Sequence, residues 1–235
     1  EEVSAIKKKF GEFFLVSTKF GKINFLPREG YSEYVKGQVD KGYVTNEHTL
    51  NIAKQAKEHE KTNYELYFKF FKLFSEKLPN QKLVVLPHPG ENYDTYRKIL
   101  KEYKNIELST GEFSTESMLL ATKCNISCNC TTSVESYYLG KVPINFIPFM
   151  NENVEYSFPK IVSKNINDAS ELISFLDGFN ESKNSDFLNK LDKKEIEENI
   201  ANIDTEEKII EKLGEYKVKD KNIFSTNLFS KYYFL

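Results

Sequence analysis

Short continuous apolar runs alternate along this chain with longer stretches whose apolar residues recur every three or four positions. That alternation predicts strands followed by helices. Residues 13–18 (FFLVST) form an apolar run ending in small polar residues, which suits a buried parallel strand entering a loop at 19–24. A polar stretch with Gly30, Gly37 and Gly42 follows, and residues 46–78 then read as a helix broken near 61–63. In its second part Tyr64, Tyr67, Phe68, Phe71, Phe74 and Leu78 recur at helical spacing, with Glu65, Lys69, Lys72 and Glu76 between them. This aromatic stripe is expected to face a sheet.

The run KLVVL at 82–86 predicts a second strand, followed by Pro87-His88-Pro89-Gly90 and a helix over 93–103. The unit recurs as a weak strand at 106–108, a helix at 114–122, a strand at 124–128, a turn at 129–133 and a helix to Leu139. Gly140 is placed to end that helix with a positive φ. Residues 142–147 (VPINFI) and 161–163 (IVS) read as further strands, and 168–179 and 195–213 as helices. The pattern predicts an α/β fold: a Rossmann-like parallel sheet flanked by helices, joined by right-handed crossovers. The sheet domain is expected over 1–180, with a helical extension over 181–235 rich in Lys, Glu and Asn. The aromatic tail at 224–235 lacks a basic amphipathic face, so it reads as packing against another domain rather than as a membrane contact.

Composition narrows the class. Hydrophobic content of 40%, with 19 Phe and 14 Tyr but no Trp, is enough for an aromatic-filled core, and 29% charged residues describe an ordinary wet surface. A formal charge of -2 supplies no field to hold an extended polyanion. Nucleic acid is therefore a poor partner, and a phosphate-bearing ligand must be held by local geometry. No run of about 18 apolar residues is present, and the start EEVSAIKKKF lacks the apolar stretch of a signal peptide. The reading is cytoplasmic, with a peripheral position at the inner face of the membrane left open. Cys124, Cys128 and Cys130 fall in one short segment, an odd number that argues for buried reduced thiols rather than a disulfide framework. With only His48, His59 and His88 as histidines, a fourth zinc ligand is not at hand, so no metal and no cofactor is predicted.

In open parallel sheets ligands bind beyond the carboxyl ends of the strands. Three loops qualify: residues 17–21 with Thr18 and Lys19, the loop from His88 to Glu91, and the turn Asn129, Cys130, Thr131, Thr132, Ser133. Consecutive hydroxyls and N–H groups at a helix start suit a phosphate, though plain N-capping by one hydroxyl remains the alternative. His88 stands between two prolines that fix its backbone and would present a held imidazole at a strand end. Glu91 and Glu135 read either as ribose contacts or as favourable charges in the first turn of a helix. No Asp-x-Asp, Walker A loop, G-x-S-x-G or G-x-G-x-x-G occurs.

Taken in order, LVVLPHPGENYDTYRKIL and SCNCTTSVESYYLGKVPINFIP resemble the surface carbohydrate biosynthesis protein family, related to capsule and O-antigen Kdo transferases. The second stretch is similar to a pattern of Asn-Cys-Thr/Ser-Thr, then Glu, then Leu-Gly-Lys-x-Pro; the first is similar to R-P-H-P-x-E, with Leu86 where that pattern carries Arg. FFLVSTKFGKINF resembles the family's first strand of this domain, with Lys19-Phe20 in place of Asn-Phe. The likeness covers about residues 13–148. It implies the C-terminal, nucleotide-binding half of a GT-B-type glycosyltransferase that binds a cytidine-nucleotide sugar, often CMP-Kdo, without metal. On that resemblance His88 contacts the donor phosphate, Thr131, Thr132 and Ser133 cradle it, and Glu135 or Glu91 orients the ribose or base. The acceptor, a glycan or lipid-linked glycan, and the catalytic base are then expected from an N-terminal acceptor domain or a partner. A CDP-glycerol glycerophosphotransferase, a sialyltransferase-like enzyme and a non-catalytic nucleotide-sugar-binding module remain as alternatives.

Overall fold

A computed structural model describes residues 1–24, 47–191 and 193–199. The described residues up to Ile196 belong to one compact unit. Six strands, β1 (Phe14–Ser17), β2 (Leu83–Leu86), β3 (Ile106–Leu108), β4 (Cys124–Ser127), β5 (Val142–Phe146) and β6 (Lys164–Ile166), make one sheet in the order β3-β2-β1-β4-β5-β6. Every pair is parallel; Val16 of β1 lies beside Val85 of β2 and Ile126 of β4. The chain steps outward from β1 to β3, then crosses back and steps outward from β4 to β6. The direction therefore reverses between β1 and β4, at the point where doubly wound sheets open a crevice.

Both faces of the sheet are covered, which is why its strands read as continuous apolar runs. On one face Phe14, Val16, Val85, Ile126, Ile144 and Phe146 pack against Tyr67, Phe70, Phe71 and Phe74 of α2 (Glu47–Lys77). On the other, Phe13, Leu15, Val84 and Leu86 meet Ile6 and Phe10 of α1 (Glu2–Phe10) and Met118, Leu119 and Ala121 of α4 (Thr115–Ala121). Each fully buried phenyl ring contributes about 1.5–3 kcal/mol. Phe14 meets Phe74 edge-on at 6.3 Å, and Phe70 lies 5.3 Å from Phe146. Tyr67 buries its ring without orphaning its hydroxyl, which donates to the Phe146 carbonyl at 2.9 Å.

The remaining helices are α3 (Tyr93–Leu100), α5 (Thr132–Tyr138), α6 (Ser157–Ile161), α7 (Ala169–Asp177), α8 (Glu181–Lys190) and α9 (Lys193–Asn199). Caps set several starts: Asn92 accepts from the Asp94 N–H, Ser114 from Ser117 and Asp168 from Glu171. Gly140 sits just past α5 at φ +69, in the region where a side chain would be strained.

Three expectations are corrected. The helix over 46–78 is not broken near 61–63; α2 is continuous for 31 residues. Asn63 keeps its place there because its side-chain amide donates to His59 O and Phe149 O and accepts from the Phe149 N–H. The apolar run 161–163 is not a strand: Ile161 ends α6, and the strand comes next, at Lys164–Ile166. This edge strand pairs only with β5 and buries only Ile166, so it needs no apolar run. Helix α1, whose buried Ile6 and Phe10 are four residues apart, has no counterpart among the expected elements. The glycines at 30, 37 and 42, residues 200–213 of the expected last helix and the tail at 224–235 lie outside the described residues. Among the described residues no helix is long and apolar enough to cross a membrane.

Candidate functional site

The loops that leave β2, β1 and β4 are neighbours along the carboxyl edge of the sheet, because those three strands are. Together with the first turn of α5 they carry the residues singled out in the sequence, and the fold places these in three groups.

The first group is a buried latch. Glu91 is fully buried; its Oε1 accepts from the Thr18 hydroxyl at 2.8 Å and the His88 N–H at 3.0 Å, and its Oε2 from the Tyr96 hydroxyl at 2.6 Å. The Tyr96 hydroxyl oxygen also lies 3.1 Å from Thr18 Oγ1. Burial pushes the Glu91 carboxyl above its ordinary range, and these donors only partly offset that. Thr18 and Glu91 thus tie the β1 loop to the β2 loop instead of facing solvent. His88 stays exposed, with Nδ1 accepting from the Gly90 N–H at 3.0 Å. That bond assigns the ring proton of the neutral imidazole to Nε2, which has no partner among the described residues.

The second group surrounds a cleft at the β1/β4 reversal. It is an open cleft with a cavity volume of about 50 Å³, lined by Lys19, Phe20 and Lys22 after β1, His59 and Glu60 on α2, Cys128 and Asn129 after β4, and Tyr156 after β5. Asn129 holds a left-handed backbone, φ 49. Its N–H donates to Asn145 Oδ1 at 2.8 Å, and its side-chain amide donates to Tyr156 O at 2.7 Å while accepting the Tyr156 N–H at 2.6 Å. An asparagine tolerates this φ better than most residues and here grips the backbone of the opposite wall.

Lys19 is half-buried. Its ammonium donates to the Asn129 carbonyl and lies 4.8 Å from the centroid of the Tyr156 ring. Among the described residues no carboxylate lies within ion-pair distance of it. Burial lowers its pKa, with weaker opposition from nearby Cys130 and Cys128. Lys22, by contrast, pairs with Glu60: its N–H donates to Oε1 at 2.6 Å, and its ammonium is 3.6 Å from Oε2.

The cleft also holds a histidine that the sequence pattern did not single out. His59 Nε2 is 3.2 Å from Glu155 Oε1 and 3.1 Å from Asn63 Nδ2. Both hydrogens of Asn63 Nδ2 already go to the carbonyls of His59 and Phe149, so the Nε2 proton belongs on the bond to Glu155. Nδ1 is then an acceptor with no partner among the described residues. Burial lowers the His59 pKa against the pull of Glu155 and keeps the ring neutral. Burial pushes the Glu155 carboxyl up, but the Lys160 ammonium, the Asn151 N–H and His59 outweigh it and hold it below its ordinary range. The signal was present as a period of four: His59, Asn63 and Tyr67 extend the aromatic stripe toward the N-terminus of α2.

The hydroxyl turn divides three ways. Thr131 is exposed at the start of α5 and makes no side-chain cap bond. Thr132 Oγ1 is buried without a partner, and Ser133 Oγ is 2.8 Å from Ser127 Oγ, inside the protein. The N–H groups of Cys130 and Thr131 donate to nothing among the described residues. Glu135 is exposed in the first turn of α5. Cys124 and Cys128 are buried free thiols, and burial pushes Cys128 up to about 12; Cys130 is half-buried.

No protein-family model and no curated protein matches the chain. Among solved structures it is similar to the UDP-GlcNAc 2-epimerase of Methanocaldococcus jannaschii in complex with UDP-GlcNAc and UDP, at 14% identity with a TM-score of 0.36. The likeness covers 77% of this chain and 43% of that one, so the chain spans less than half of that enzyme.

Proposed function

We propose that this chain is the donor-binding half of a metal-independent GT-B-type glycosyltransferase of surface polysaccharide biosynthesis. Its donor is a nucleotide sugar. One observation carries the reading: Lys19 is a half-buried cation with no carboxylate in ion-pair distance among the described residues, set in the cleft where the direction of a doubly wound sheet reverses. Burial outweighs the favourable charges around this ammonium, which bonds a carbonyl and faces a ring, and an anionic ligand would add the compensation that burial takes away. A phosphate or diphosphate in this cleft would reach Lys19 directly, with the free N–H groups of Cys130 and Thr131 on the neighbouring loop.

The cytidine base and the Kdo sugar rest on the family resemblance of residues 83–100 and 127–148. On it the donor is CMP-Kdo or another CMP- or CDP-linked sugar, and the acceptor is a glycan or lipid-linked glycan presented by an N-terminal domain or partner. His88, whose Nε2–H has no acceptor among the described residues, and Thr131, whose hydroxyl makes no cap bond, are exposed and open to a ligand. Glu91 and Thr18 act behind them by fixing the loops.

Titration with CMP, CDP, UDP and ADP tests the reading. Selective CMP or CDP binding that is lost in Lys19→Met supports it, and CMP release from CMP-Kdo in the presence of the acceptor half identifies the reaction. Turnover of CDP-glycerol or CMP-sialic acid would assign the chain to the alternatives, and binding without turnover to a non-catalytic module.

A further inference from the structure

The cleft wall that carries Tyr156 leaves large hydrophobic side chains exposed. Tyr156 keeps 51% of its surface exposed, and Phe149 and Met150 on the same connection between β5 and α6 keep 38% and 56%. These three are among only five large hydrophobic side chains left exposed in the described residues. The backbone of Tyr156 is held on both sides. The Asn129 amide grips both its N–H and its carbonyl, from a left-handed backbone position that a residue other than glycine adopts at some strain. The Tyr156 ring borders the cleft, and the Lys19 ammonium lies 4.8 Å from its centroid.

We infer that Tyr156 is the stacking platform for the planar base of the ligand whose phosphate meets Lys19. The inference rests on the nucleotide-binding reading and assigns a base subsite within it. An ammonium with no carboxylate in ion-pair distance among the described residues, beside an exposed ring on a held stretch of backbone, is complementary to a molecule that joins an anion to an aromatic plane, which is what a nucleoside phosphate offers. Stacking on a residue whose backbone is held beforehand loses less conformational entropy. Asn129 is then a positioning residue: it touches no base, but its clamp holds the backbone from which the ring projects.

Calorimetric titration of the whole chain with CMP and with ribose 5-phosphate separates the base from the rest of the ligand. Tyr156→Leu removes the ring but keeps apolar bulk, Tyr156→Phe keeps the ring, and circular dichroism checks that each variant is folded. In Tyr156→Leu, CMP affinity is expected to fall about tenfold, the lower range of one base stacked on one ring, while ribose 5-phosphate stays within about twofold. Tyr156→Phe is expected to match the unaltered chain with both ligands. Asn129→Gly, which relieves the left-handed strain but deletes the clamp, is expected to weaken CMP and spare ribose 5-phosphate. Equal CMP affinity in Tyr156→Leu and the unaltered chain would overturn the stacking role and leave nucleotide binding intact. Equal loss of both ligands would overturn it too, by showing that the ring serves the phosphate or the sugar. If the unaltered chain bound neither ligand, the nucleotide reading would fall with it.

Discussion

The Thr18 hydroxyl donates to Glu91 Oε1 at 2.8 Å, so a buried carboxylate joins the loops behind β1 and β2. Removing it strands three donors: the Thr18 hydroxyl, the His88 N–H and the Tyr96 hydroxyl. Glu91→Ala is expected to destabilise the fold by about 3 kcal/mol, and Glu91→Gln, which keeps an acceptor, by about 1 kcal/mol. Urea unfolding measures both. The pH dependence has a definite sign. Because burial raises the folded pKa of Glu91 above its ordinary 4.5, the folded state holds its proton longer than the unfolded chain. Stability contributed by this group therefore falls as pH rises from about 4.5 to the folded pKa, and that slope is expected to be absent in Glu91→Gln.

Lys19 gives the opposite trade. As a desolvated cation with no carboxylate partner among the described residues it burdens the free protein, so Lys19→Met is expected to raise the melting temperature by about 2–4 °C, the equivalent of about 1 kcal/mol at this size. Its folded pKa lies below the ordinary 10.5. The unfolded chain then binds the proton more tightly, and in the unaltered protein stability contributed by Lys19 rises as pH climbs through the folded pKa toward 10.5. Scanning calorimetry of the two proteins across alkaline pH checks this.

His59 is expected to be neutral at pH 7, with its proton on Nε2. Ring nitrogen NMR, assigned through His59→Gln, reads both the tautomer and the titration. The pKa should fall below the ordinary 6.5, because burial outweighs Glu155. Since the unfolded chain takes up that proton first, stability drops as pH falls from about 6.5 through the folded pKa. A titration at or above 6.5 would contradict the arrangement.

Thr132→Val replaces a hydroxyl that is buried without a partner by a methyl group of similar shape. The fold is expected to be unchanged or stabilised by up to about 1 kcal/mol in urea unfolding. Loss of stability would mean that Oγ1 has a partner in solution.

How legible the molecule was depends on where its apolar residues lie. Strands β1, β2, β4 and β5 are covered on both faces, so FLVS, LVVL, CNIS and VPINF announce themselves as runs ending in loops. The edge strand β6 is covered only at Ile166, and its polar residues attracted no strand assignment. Asn63 reads as a helix breaker in sequence because its partners, the Phe149 backbone groups, are 86 residues away. The same distance problem hid the site: His59 and Glu155 are 96 residues apart, and Asn129 and Tyr156 are 27. The carboxyl-edge loops were readable because each follows its strand directly. The cleft between them was not, because α2 and the β5–α6 connection supply half of its walls.

The central claim is that Lys19 at the β1/β4 reversal receives the phosphate of a nucleotide, and calorimetric titration of the chain and of Lys19→Met with CMP, CDP, UDP and ADP tests it most directly. The account predicts that the unaltered chain binds CMP or CDP in preference to UDP and ADP, and that Lys19→Met, folded and at least as stable, loses tenfold or more of that affinity, the order of one charge-assisted contact. Nucleotide affinity unchanged in Lys19→Met, or no binding of any of the four by the unaltered chain, would contradict it.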